Sequence, residues 1–82
     1  MDKTKFLKMC QKVALLPEGA MHIKKNVPND LKVVYKGFLY YPIERVAGFD
    51  QNGNLVIKAR LQSLVDNSVT ECLLDNVIEL EV

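Results

Sequence analysis

The stretch GFDQNGNLVI, residues 48–57, reads in two ways. Acidic and amide side chains surround a glycine, as in a calcium loop, yet the segment joins two apolar runs, as in a hairpin. An EF-hand loop needs Asp or Asn at positions one, three and five, Gly at six and a bidentate Glu at twelve. Counted from Asp50, glycine falls at position four and position twelve is Leu61, so the calcium pattern fails. Asn52-Gly53 is instead the strongest two-residue hairpin signal, predicting a type I′ turn with positive φ at both residues. Asp50 and Asn54 lie close enough to bond the turn's backbone.

Outward from this turn the pattern is that of short strands. KVVYKGFLYYPIERVAGFD is rich in β-branched and aromatic residues, with Lys36-Gly37 as a turn or bulge and Pro42 as an edge or kink. In NLVIKARLQSLV, Leu55, Ile57, Ala59 and Leu61 alternate with Val56, Lys58 and Arg60. Asp66-Asn67 predicts a further turn, SVTECLL another strand, and VIELEV a last one. Turns about every ten residues predict a small barrel.

The N-terminal segment has a different period. Phe6, Met9, Cys10, Val13 and Leu16 recur at steps of three and four, the stripe of an amphipathic helix over 3–16. Asp2 or Thr4 can cap its start, and Pro17 ends it. Residues 17–31 are read as a connector with two prolines, and a short strand is expected around Met21 to Ile23. The chain of 82 residues is thus read as one α+β domain: helix 3–16, connector 17–31, and a small antiparallel β-barrel of about five strands over 32–82. Its predicted core is Phe6, Met9, Val13, Val34, Phe49, Leu55, Ile57, Leu61, Val69, Leu74 and Ile78.

Composition narrows the chemistry. With 49% hydrophobic and 26% charged residues the chain belongs among globular proteins rather than disordered ones. No run approaches the roughly 18 apolar residues of a membrane span, and Lys8, Gln11 and Lys12 interrupt any signal-peptide apolar region. A cytoplasmic setting with no membrane partner is expected, with Cys10 and Cys72 as free, buried thiols. The single histidine, His22, and the absence of CxxC or HxxxH patterns leave no typical metal set. The four glycines form no GxGxxG or GKS/T phosphate cradle. A Cys-His dyad needs an accessible thiol, whereas Cys10 falls on the apolar stripe. No enzyme activity, cofactor or metal is expected.

Net charge is +1 but unevenly spread. Residues 1–36 carry eight lysines against three acids, and residues 37–82 carry three basic groups against seven acids. Such a split signals partner choice or internal complementarity. The candidate partner-binding residues are Lys5, Lys8 and Lys12 on one helix face, Lys24 and Lys25 in the connector, and Tyr40 and Tyr41. Lysines of this kind neutralise phosphates and tyrosines stack on bases, although lysine stripes opposite an apolar face are commonly just solvated.

Two resemblances rest on these residues. A helix followed by five short strands, with Gly37, Phe49, Asp50 and Asn54 in the positions of the first Sm motif, resembles the Sm-like arrangement and implies that the small antiparallel barrel is of SH3/Sm-like type. That resemblance implies an RNA-binding oligomer, although LVDNSVTECLL stands where the family's second motif would be. LPEGAMHIKKNVPNDLKVVYKGFLYYP with GFDQNGN and DNSVTECLLDNV is similar to small uncharacterised proteins of phages and mobile elements of Gram-positive bacteria. It implies a compact accessory protein that binds a host protein. The expected function is therefore a non-enzymatic binding protein acting on a host protein. An RNA-binding oligomer and the sequestration of a small nucleotide signal are the alternatives.

Overall fold

The structure is a computed structural model and describes residues 1–16 and 28–80. Helix α1 (Lys3–Ala14) is followed by a 3-10 turn (Asn29–Leu31) and five strands. These are β1 (Val33–Tyr35), β2 (Phe38–Phe49), β3 (Leu55–Ser63), β4 (Val69–Leu73) and β5 (Ile78–Glu79), with a second 3-10 turn (Leu74–Asn76) before β5. All pairings are antiparallel and the strand order is β4-β3-β2-β1-β5. The α+β class is as predicted, but the sheet is not closed into a barrel. β5 pairs over only two positions with β1, and β1 itself is three residues long, so β4 and β5 remain as two edges. Lys24, Lys25, His22 and the short strand expected near Met21 lie outside the described residues.

Each turn has its own chemistry. The type I′ geometry predicted for Asn52-Gly53 occurs instead at Lys36-Gly37, where φ is 51° and 81° between the paired residues Tyr35 and Phe38. At the β2–β3 turn only Gly53 has positive φ, at 80°. The Gly53 amide donates to the Asp50 carbonyl at 3.1 Å and the Asp50 amide to the Asn54 carbonyl at 3.0 Å, the pattern of a three-residue loop closed by a left-handed glycine. Asp50 causes the longer loop: its Oδ1 accepts the Asn52 and Asn54 amides, each at 2.9 Å. The Asn54 amide, foremost among these donors, holds the exposed Asp50 carboxyl below its ordinary pKa. The hairpin reading of this stretch therefore holds, with a different turn.

Helix α1 starts at Asp2, whose side chain accepts the Lys5 amide at 2.8 Å. Its apolar stripe lies on the sheet. Phe6, Met9 and Cys10 pack with Val33, Ala59, Leu61, Cys72, Leu74 and Val77, while Val13 joins Leu31 and Tyr41 in a smaller cluster. The register of β2 on β3 shifts between Pro42 and Glu44, the bulge that accommodates a proline without an N–H to donate.

Several predicted core residues lie elsewhere. Phe49, Leu55, Val69 and Ile78 are exposed, and Val34 and Ile57 are half-buried. β5 is offset by one residue from its predicted phase, so Val77 is inside at 2% exposure and Ile78 outside at 64%. On β4 the inward residue is Cys72, and Val69, three positions earlier, faces the other way.

The core holds one polar anomaly. Tyr41 is wholly buried, its hydroxyl has no hydrogen-bond partner among the described residues, and burial pushes that hydroxyl above its ordinary pKa of 10. An orphaned hydroxyl costs about 1–3 kcal/mol. Replacement Tyr41→Phe keeps the ring and removes that cost, so it is expected to raise unfolding free energy by about 1 kcal/mol in urea melts. A loss of stability would show that the hydroxyl is satisfied in solution.

Candidate binding surface

The predicted partner-binding residues do not form one site. Lys5, Lys8 and Lys12 lie on the outer side of α1, all exposed. Lys5 is engaged: its Nζ lies 2.9 Å from Glu79 Oε2 on β5. This pair joins the basic front of the chain to its acidic back. Arg60 with Glu44 at 3.2 Å and Lys58 with Glu71 at 3.6 Å pair within the acidic half itself. All three pairs are solvent-accessible and each contributes about 1 kcal/mol or less.

The two tyrosines separate because neighbours on a strand alternate in direction. Tyr40 packs against the larger core cluster and meets Tyr35 edge-on, ring centroids 6.0 Å apart. Tyr41 is fully buried in the smaller cluster and offers no ring face for stacking. The aromatic that does meet a cation at the surface is Tyr35, with Lys36 Nζ 5.3 Å from its ring centroid.

Both cysteines are free and buried in the same cluster. Burial, the leading cause, pushes the Cys10 thiol up to about 11 and raises Cys72 as well. At neutral pH these groups are thiols, packed as small apolar side chains. Among the described residues no three His, Cys, Asp or Glu side chains come together as a metal site.

What the sequence did not point to is the reach of the β2–β3 hairpin. β4 pairs with β3 only from Lys58 to Gln62, and β1 with β2 only from Phe38 to Tyr40. Ala47–Phe49 and Leu55–Ile57 pair only with each other, as a two-stranded arm beyond the shared sheet. Phe49 and Leu55, directly opposite in register, are 70% and 66% exposed. A second apolar row crosses the other end of the sheet, where Ile78, Val34 and Leu39 are neighbours through β5, β1 and β2. The missed signal is strand length: β2 has twelve residues and β4 five, so one end of the hairpin outruns its flanking strand.

These features define a small α+β protein in which one helix covers part of an open antiparallel sheet and a hairpin arm extends past it. No protein-family model, no curated protein and no solved structure matches the chain. Among the described residues no helix is long and apolar enough to cross a membrane.

Proposed function

We propose that this chain is a non-enzymatic binding protein, an accessory protein of a phage or mobile element, that docks on a host protein through the β2–β3 arm. The observation that supports this reading is the Phe49–Leu55 pair, two large apolar side chains facing each other on a ribbon with unpaired edges. Isolated two-stranded hairpins are marginal in water, and exposed apolar ribbons mark interaction sites. A partner strand added to either edge satisfies the free backbone groups while its side chains cover Phe49 and Leu55. The test is quantitative affinity capture from host lysate with the wild type, Phe49→Asp/Leu55→Asp and Lys8→Ala/Lys12→Ala. Loss of a central anchor costs about 2 kcal/mol or more, equivalent to about 30-fold in affinity. The wild type and the lysine variant are expected to retain one host protein, and the arm variant to lose it by that factor. Capture that survives in the arm variant would sink the reading.

A second reading is an Sm-like oligomer that binds RNA. It is favoured by the strand order, with β5 returning to β1 and leaving the β4 and β5 edges free, and by the exposed Lys8 and Lys12. Native mass spectrometry of untagged protein separates the two, since a multi-copy ring carrying RNA supports this reading and a bare monomer opposes it. Its RNA affinity must also fall steeply with salt.

A further inference from the structure

Lys32 is an almost covered lysine that takes part in none of the described ion pairs. It follows the first 3-10 turn and is 9% exposed, among the most buried charged groups described. Its Nζ donates to Asn29 Oδ1 at 3.1 Å. Each of the three described ion pairs uses another cation: Lys5, Lys58 or Arg60. An ammonium has three donors, so two remain without a protein acceptor among the described residues. An ammonium with two free donors and no counter-ion is completed by water or by a ligand that brings acceptor oxygens.

Lys32 also lines a cleft of about 140 Å³, walled by Lys5 and Met9 of α1, Asp30, Glu79 and Leu80. A cleft of this size admits several waters or one small organic ion. The charges select among ions. Glu79 is already neutralised by Lys5, which leaves Lys32 as the unpaired cation of the cleft wall and the Asp30 carboxylate on the same wall. Lys32 attracts and Asp30 repels any anion in the cleft, and a single negative charge neutralises Lys32 without leaving excess negative charge beside Asp30. Met9 and Leu80 supply an apolar wall for the carbon next to that charge.

We propose that this cleft binds a carboxylate, with Lys32 as its counter-ion and Asn29 holding the ammonium in place. The carboxylate belongs either to a small free acid or to an acidic side chain of a bound peptide. The cleft stands apart from the hairpin arm, and the inference does not depend on the arm's role.

The experiment is an NMR titration of the wild type, following the Met9 methyl and the Lys32 side chain at constant ionic strength. The probes are acetate, N-acetyl-glutamate amide, its glutamine counterpart and inorganic phosphate. Acetate is expected to saturate with a Kd on the order of 1 mM, within reach of so small a ligand. The glutamine compound is expected to leave both signals unmoved. Tighter binding of the glutamate compound than of acetate supports the site and assigns it to a peptide carboxylate; the reverse order supports it and assigns a free acid. Lys32→Met and Lys32→Gln, one apolar and one polar, are each expected to weaken acetate at least about tenfold. Shifts that never saturate, phosphate binding more tightly than acetate, or acetate affinity unchanged in a folded Lys32 variant would each overturn the proposal.

Discussion

Leu61→Ala is expected to cost about 2–5 kcal/mol of unfolding free energy, and Leu55→Ala less than about 0.5 kcal/mol. The two leucines lie on the same strand six residues apart, and alternation puts them on one face. What differs is the cover. Leu61 has no exposed surface, pairs with Pro42 and Thr70 on either side, and packs in the cluster under α1. Truncating it removes transfer energy and leaves a void that a close-packed interior only partly closes. Leu55 sits on the arm opposite exposed Phe49, where its side chain is already in water. An 82-residue domain has a total stability of roughly 4–12 kcal/mol, so the first change takes a large share of it. Urea melts of both variants are the measurement. Equal losses would mean that the arm is covered in solution, and the comparison should then be repeated across protein concentration to see whether another copy covers it.

The same pair of leucines shows what the sequence could convey. Period specifies which residues share a face, and here the alternation through Leu55, Ile57, Ala59 and Leu61 is correct. It says nothing about how far along that face a helix or a third strand extends. Hydrophobicity places Phe49 and Leu55 in the core, but the covering elements stop short of them. The turn at Asn52-Gly53 carries a similar lesson. The dipeptide marks a hairpin, yet the three-residue loop is the one in which the Asp50 carboxylate gathers the Asn52 and Asn54 amides. Barrel closure also lay beyond pattern reading, because it depends on how many residues β1 and β5 pair, and short strands at a chain's end leave little periodicity to measure. The candidate site suffered most. The chemistry of lysines and tyrosines points to an exposed basic and aromatic surface, whereas the structure buries Tyr41, engages Lys5 with Glu79, and largely covers Lys32, a member of the same basic front of the chain.

Phe6→Ala is expected to be the most damaging single truncation, at about 3–5 kcal/mol. Phe6 is fully buried and is the largest side chain that α1 contributes to the main cluster. Its effect reaches beyond the void it leaves. At twelve residues α1 is too short to be stable alone in water, and the Asp2 cap, worth about 1 kcal/mol, does not change that. The helix exists because Phe6, Met9, Cys10 and Val13 are covered by the sheet, and the sheet's inner face is dry because the helix covers it. Weakening that contact at its largest member destabilises both partners together. In a domain of this size each kcal/mol moves the melting temperature by about 4–8 °C, so a fall of at least about 12 °C is expected. Lys8→Ala, on the exposed side of the same helix, is expected to stay within about 0.5 kcal/mol of the wild type. Circular dichroism at a helix-sensitive wavelength, recorded beside a tyrosine signal, adds a second criterion. One shared transition in Phe6→Ala means that helix and sheet remain a single cooperative unit. Helix loss ahead of the tyrosine change would mean that the open sheet survives without its cover, and Phe6 would then anchor the helix rather than the fold.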